Sequence, residues 1–354
     1  MTMSPRPRHR FLFAATMAIL CLVPSAPNAR SAPRESPLPQ DGAATVPIRP
    51  VHTYSIVARD AKTGQMGVAV QSHWFSVGGL VPWAEAGVGA VATQSFVEAS
   101  YGPLGLELMR AGKTAPEALK ALLAADDNAA VRQVAMIDAR GNRAAHTGGL
   151  CIQAAGQVEG DGFTVQANLM EKDTVWGAMA RAYTTSSGDL TERLLAALEA
   201  AEAEGGDIRG KQSAAILVVA GESSGRPWAD RIVDLRVEDS DDPLGELRRL
   251  VHLNRAYHHM DAGDGLFTAG DIEGAVREYS AAEAMVPDNV EMVFWHAVTM
   301  VNAGRMDAAR PLFRRVFADP TRGDFWAELV PRLPRSKLLP DDRAIIDEIV
   351  ALKD

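Results

Sequence analysis

Cysteine is nearly absent. The 354 residues contain two, Cys21 and Cys151, too few for a disulfide framework. If Cys21 left with an N-terminal leader, Cys151 would stand alone and no intrachain disulfide could form. No Cys-His signature surrounds Cys151, which reads as a small buried hydrophobe rather than a nucleophile. Clustered basic residues are also missing. The net charge is −9 with no long Lys/Arg run, which argues against a nucleic-acid partner because phosphate contacts need such clusters. Paired metal-ligand motifs are absent as well. His73 and His146 share no HExxH-like spacing, and the neighbours His258 and His259 cannot face one ion together on a helix. No metal and no cofactor are expected. The apolar run from Phe11 to Val23 is too short for a comfortable transmembrane helix, and there is no other candidate.

The composition that remains is that of a globular protein, 47% hydrophobic and 23% charged, with length enough for two domains. The N-terminus reads as a secretory signal peptide over residues 1–29. Arg6, Arg8, His9 and Arg10 form the positive region, Phe11 to Val23 the apolar region, and Pro24 to Ala29 a small-residue cleavage zone. The expected location is therefore exported, periplasmic or extracellular, with no membrane attachment after cleavage. Residues 30–52 hold Pro33, Pro37, Pro39, Pro47 and Pro50 and read as a linker or pro-segment.

Regular structure is predicted from Thr53. Strands are expected over Thr53–Arg59, Gln65–Ser72 and Gly87–Phe96, then two helices. The second helix starts at Thr114-Ala115-Pro116-Glu117, a capping box. A hairpin follows over Arg132–Asp138 and Arg143–Thr147, then a strand over Gly162–Leu169. A second helix pair spans Asp173–Tyr183 and Leu190–Glu204, the latter stopping at Gly205-Gly206. Strands Ser213–Ala220 and Arg231–Val237 complete the order. Two antiparallel strand groups each need a buried face, and two helix pairs need a surface to cover. The fold class expected is α+β, a four-layer αββα sandwich over residues 53–242, with a two-layer α+β domain as the rival.

Residues 243–354 read as all-α. Gly270, Ala275, Tyr279 and Ala282 recur 34 residues later as Gly304, Ala309, Phe313 and Val316. This period and small-aromatic pattern resemble a tetratricopeptide repeat, with Leu244–His259 and a helix near 341–352 as caps. Such a tail could bind a protein partner; the oligomeric state is left open, a homodimer included.

Several ordered blocks resemble one prokaryotic family of unknown function grouped with the N-terminal-nucleophile (Ntn) hydrolases. They are Thr53-Tyr54-Ser55-Ile56-Val57-Ala58-Arg59-Asp60, Gly67 to Ser72, Val81-Pro82-Trp83, Gly87 to Gln94, His146-Thr147-Gly148, Val165 to Leu169 and Gly205 to Ser213. They cover roughly residues 53–250 and imply an Ntn-type αββα fold.

The resemblance also bears on Thr53. By itself Thr53 is an ordinary β-branched strand residue. As a chain terminus it would carry a hydroxyl nucleophile and, in its α-amine, its own base. Relatives without an export signal tend to start at Met-Thr, so loss of the initiator exposes the threonine. Here a cut at His52-Thr53 is required, and His52 stands where self-processing relatives often carry a small residue. The implied activity is hydrolysis of an amide or related acyl bond in a small-molecule or peptide-like substrate. Asn168 and Gln94 are the candidate oxyanion donors, or they bond neighbouring backbone. Asp207, Arg209 and His73 are the candidate substrate-binding residues, with a solvated loop as the plainer reading. The second functional reading is a non-catalytic binding or scaffold protein.

Overall fold

The computed structural model describes Val51 and residues 53–353. The expected signal peptide, the Pro-rich segment up to Arg49-Pro50, and His52 lie outside the described residues.

Among the described residues, ten strands form two antiparallel sheets. The six-stranded sheet runs β10 (Arg231–Val237), β9 (Ser213–Val219), β2 (Met66–Ser72), β1 (Thr53–Arg59), β8 (Phe163–Ala167), β7 (Gly156–Gly160). The four-stranded sheet runs β3 (Pro82–Glu85), β4 (Gly89–Ser95), β5 (Arg132–Asp138), β6 (Arg143–Thr147). Ten α-helices are present among the described residues, so the chain is a mixed α+β protein with a C-terminal helical region.

Alternation along the strands sorts the two faces of each sheet. In β1, Tyr54, Ile56 and Ala58 join a core with Met179 of α3 (Val175–Thr185) and Leu194, Leu195 and Leu198 of α4 (Leu190–Ala203). Val57 belongs instead to a separate core with Val68 and Val70 of β2, Ala90 and Ala92 of β4, and Ala135 and Ile137 of β5. The other face of the four-stranded sheet, with Val91, Val134 and Met136, packs against Leu106 and Met109 of α1 (Tyr101–Arg110) and Leu119 of α2 (Ala115–Ala125). The capping box at α2 is present in both directions, Thr114 Oγ1 on the Glu117 N–H and the Glu117 carboxylate on the Thr114 N–H.

Strands β3 and β7 are additions to the sequence-based order. Both are sheet edges. β3 opens on Pro82, which cannot donate to a ladder but is tolerated at the start of an edge strand. β7 reads Gly-Gln-Val-Glu-Gly, a composition with weak strand preference.

The helical region begins with α5 (Pro243–Thr268), whose 26 residues serve two cores. Leu244, Leu247 and Val251 join the core over the six-stranded sheet. Ala256 and Met260 pack with Ala275, Tyr279 and Ala282 of α6 (Ile272–Met285). Helices α7 (Val290–Asn302), α8 (Met306–Phe317), α9 (Gly323–Leu329) and α10 (Arg343–Val350) share the last core. The recurring positions are equivalent in space as well: Ala275, Tyr279 and Ala282 on α6, and Ala309, Phe313 and Val316 on α8, are all fully buried. Gly270 and Gly304 both adopt left-handed φ, 86° and 72°, just before α6 and α8.

Candidate functional site

β1 begins where β2, β4, β8 and β10 end and β5, β7 and β9 begin, so one end of the two sheets gathers their loops. At this end the inward-facing positions change from apolar to polar. Thr53, Ser55, Ser72, Gln94, Gln133, Thr164, Gln166 and Asn168 all have no exposed surface. Burial of so many amides and hydroxyls is tolerable only if they bond one another, and they do. Gln166 Nε2 donates to Ser55 Oγ at 2.5 Å, and Ser55 Oγ donates to Gln94 Oε1 at 2.6 Å. Gln94 Nε2 donates to the Thr53 carbonyl at 3.1 Å and to Gln133 Oε1 at 2.6 Å. Asn168 Nδ2 also donates to Gln133 Oε1, at 2.8 Å, and lies 3.4 Å from the Thr53 carbonyl, which accepts the Asn168 backbone N–H at 3.1 Å.

The Thr53 hydroxyl points away from that network. It donates to the Val51 carbonyl at 3.0 Å and lies 3.3 Å from Ser72 Oγ. Ser72 is its cross-strand partner on β2. Val51 is held in place by a two-bond bridge to Ser95, whose φ is +69°. The Val51 N–H donates at 2.6 Å and the Ser95 N–H at 2.9 Å. Val51 is itself buried in the core between the sheets.

Beyond Ser72 the chain meets a second cluster. The His73 N–H donates to Asp207 Oδ2 at 3.2 Å, and the His73 ring Nδ1 lies 3.3 Å from the Lys211 carbonyl. Asp207, with a fully buried carboxylate, forms an ion pair with Arg209 at 2.6 Å. Tyr54, the neighbour of Thr53 on the other face of β1, donates its hydroxyl to Glu202 at 2.7 Å. Burial, then the charge and hydrogen bond of Glu202, push this phenol well above its ordinary range.

A cleft of about 540 Å³ opens on the other side of the network, lined by Thr147, Gly148, Gly149, Cys151 and Gln157 among others. Gln133 connects the two, donating to Thr147 Oγ1 at 2.9 Å and lying 3.4 Å from the Gly156 carbonyl. Burial raises the Cys151 thiol above its ordinary pKa, so the thiolate that a nucleophile needs is disfavoured.

Thr53, Gln94 and Asn168 therefore meet, but through the Thr53 carbonyl rather than its hydroxyl. His73, Asp207 and Arg209 form one adjoining cluster reached through Ser72. Ser55, Ser72, Gln133 and Gln166 are the members that sequence reasoning does not single out. Their signal is a polar residue at every second position of otherwise buried strands, as in Thr53-Tyr54-Ser55 and Thr164-Val165-Gln166. Among the described residues no group of three or more His, Cys, Asp or Glu side chains is placed to hold a metal ion. No helix among them is long and apolar enough to cross a membrane.

Fold and site together define a two-sheet α+β protein with a buried amide-and-hydroxyl network at one end of its sheets. Residues 53–247 match the family of unknown function DUF1028, and the chain belongs to that family. The crystal structure of protein SPO2555 from Silicibacter pomeroyi, assigned to the same family, is similar at 33% identity and a TM-score of 0.51. That similarity covers 56% of this chain and 84% of the other. No curated protein matches the chain.

Proposed function

We propose that residues 53–242 form a four-layer αββα sandwich of the Ntn-hydrolase kind, and that the protein is exported and hydrolyses an amide or related acyl bond through Thr53. Helix pairs on the outer face of each sheet support the sandwich. The 34-residue recurrence on α6 and α8 supports a tetratricopeptide-like tail. The observation that carries the catalytic reading is the position of Thr53. It is the first residue of the family match and the first of the central strand β1. Its hydroxyl meets Ser72 and the carbonyl of Val51, a residue that a cut at His52-Thr53 would separate from it.

After that cut, Thr53 has an α-amine whose ordinary pKa is roughly 7.7–8.0, suited to a general base near neutral pH. The amine takes the hydroxyl proton while Oγ1 bonds to the acyl carbon. The C–N bond of the substrate breaks, the proton passes to the leaving amine, and an acyl-threonine ester remains. Water then hydrolyses that ester and restores the hydroxyl. Asn168 and Gln94 supply the amide donors at this end of the sheets, and Gln133 holds both by accepting from each. Arg209, oriented by the buried Asp207 carboxylate, suits a substrate carboxylate, with His73 beside it.

Intact-mass measurement of the protein from an exporting cell tests this directly. The expected mature chain begins at Thr53 and is labelled by hydroxyl-directed acylating probes. A chain beginning near residue 30 and inert to such probes would overturn the reading.

The second reading, a non-catalytic binding or scaffold protein using the two-sheet domain and the helical tail, draws on one observation. In the uncut chain the Gln94 and Asn168 amides are committed to Gln133 and the Thr53 carbonyl, and Thr53 is sealed from solvent. The same mass measurement separates the two.

A further inference from the structure

Buried polar groups mark the interior of the Thr53 end of the sheets; large apolar side chains mark its surface. Six large hydrophobic residues between Thr53 and Val237 are substantially exposed: Phe75, Leu104, Leu150, Ile152, Ile208 and Trp228. Four of the six lie in loops at the Thr53 end. Phe75, 64% exposed, follows β2. Leu150 and Ile152, 67% and 36% exposed, lie between β6 and β7. Ile208, 61% exposed, precedes β9. The loops at the far end contribute Trp228 alone, and Leu104 sits on α1.

These loops are joined to one another. The Ile208 N–H donates to the Leu169 carbonyl at 3.2 Å, and the Leu169 N–H donates to the Ile152 carbonyl at 3.1 Å. Leu169, half-buried between them, has a left-handed φ of +57°, a conformation costly for a branched side chain and maintained only by its surroundings. The Phe75 loop is tied in by the His73 N–H on Asp207, the residue next to Ile208. Exposed apolar side chains gathered on hydrogen-bonded loops at one end of a domain mark a binding site more often than chance exposure does. Here the apolar residues lie at the end of the sheets where Thr53 begins β1, and Ile152 stands between Cys151 and Gln153, which line the polar cleft.

We infer that Phe75, Ile152, Leu169 and Ile208 form an apolar rim that receives the acyl chain of the substrate, so that the substrate class is an amide joining an apolar, medium-length carboxylic acid to a polar amine. The inference rests on the Thr53 reading for its chemistry, but the rim can be tested without catalysis, because it is exposed in the uncut chain. The polar amine portion then falls to Arg209 and to the Thr147, Gly148 and Gln157 lining of the cleft.

The probes are acetylglycine, hexanoylglycine and decanoylglycine, titrated by calorimetry into full-length Thr53→Ala protein. Affinity is expected to rise about fourfold for each fully buried methylene over the first few carbons. The combined exchange Phe75→Ser, Ile152→Ser, Ile208→Ser, made at exposed positions and checked for an unchanged circular dichroism spectrum, is expected to remove that rise. Equal affinity for acetylglycine and decanoylglycine overturns the inference. So does a wild-type dimer that the triple exchange turns into a monomer, since the rim would then be a contact between copies. Failure of the wild-type protein to hydrolyse a decanoyl amide that the Thr53→Ala protein binds overturns only the Thr53 reading.

Discussion

Thr53 and Ser72 face each other across β1 and β2, and what either hydroxyl can do depends on Val51. While Val51 stays bridged to Ser95, its carbonyl accepts the Thr53 hydroxyl proton and the side chain is sealed in. For the processed protein, Thr53→Ala is expected to lower turnover of any identified amide substrate by at least about a thousandfold, whereas Thr53→Ser retains measurable activity. Unchanged hydrolysis by the alanine variant would exclude Thr53 as the nucleophile. Cys151 gives a second expectation at this scale. Its burial and raised pKa predict slow alkylation by iodoacetamide at neutral pH in the native protein and fast alkylation once unfolded, measured by mass. Asp126 gives a third. Burial raises its carboxyl pKa, but hydrogen bonds from Arg132 and the Asn128 N–H, the Arg132 charge and the Tyr101 hydroxyl outweigh this and hold it below the ordinary value. A depressed folded-state pKa contributes stability that is complete above the unfolded value of about 3.9 and fades as pH falls through the folded one. Asp126→Asn is therefore expected to cost about 3 kcal/mol at pH 7, since it strands the nearly buried Arg132. The loss should shrink in denaturant melts carried below about pH 4.

At the scale of elements, sequence legibility follows turn punctuation and composition rather than burial: β6 is half-buried and β10 only partly buried, yet both are legible. Arg132–Asp138, Arg143–Thr147 and Arg231–Val237 are strands with the bounds expected from pattern, because turn residues such as Gly141 punctuate them. All four sheet edges have one partner each, yet β6 and β10 were legible while β3 and β7 were not, because β3 opens on Pro82 and β7 is a Gly-bounded segment of weak strand preference. Helix α2 shows the reverse case, in which a local signal is sufficient: removing its cap by Thr114→Ala should cost about 1 kcal/mol in thermal or denaturant unfolding. Helix α1 depends on a tertiary fact that no local signal reveals. A Cβ at Gly102 would run into the Trp83 ring. Gly102→Ala is thus expected to destabilise by about 1–3 kcal/mol despite alanine's better helix propensity. A stabilised variant would show that Trp83 can move aside.

At the scale of the molecule, α5 is the element that joins the two parts. The sequence suggests a boundary at residues 242 and 243, yet α5 starts there by covering the six-stranded sheet with Leu244, Leu247 and Val251. It is also tied to α4 by the pairs Arg248–Glu199 at 2.5 Å and Arg255–Asp189 at 2.6 Å. A protein ending at Asp242 is expected to lose several kcal/mol against one ending after Ala256, because three apolar side chains no longer cover the sheet. Equal midpoints in urea would contradict this.

The chain by itself determined its alternating strands, capped helices, 34-residue recurrence and the threonine at the start of β1, because these depend on local chemistry and on periods of two and 3.6 residues. Only the tertiary structure decided that Gln94, Gln133, Gln166 and Asn168, drawn from three strands and the residue following one of them, share one network. It also decided that Val51 covers Thr53 and that Phe75, Ile152 and Ile208 crowd the same end. Those relations come from the stacking of one sheet on the other and from the register of β1 with β2 and β8, and neither is encoded within any single segment.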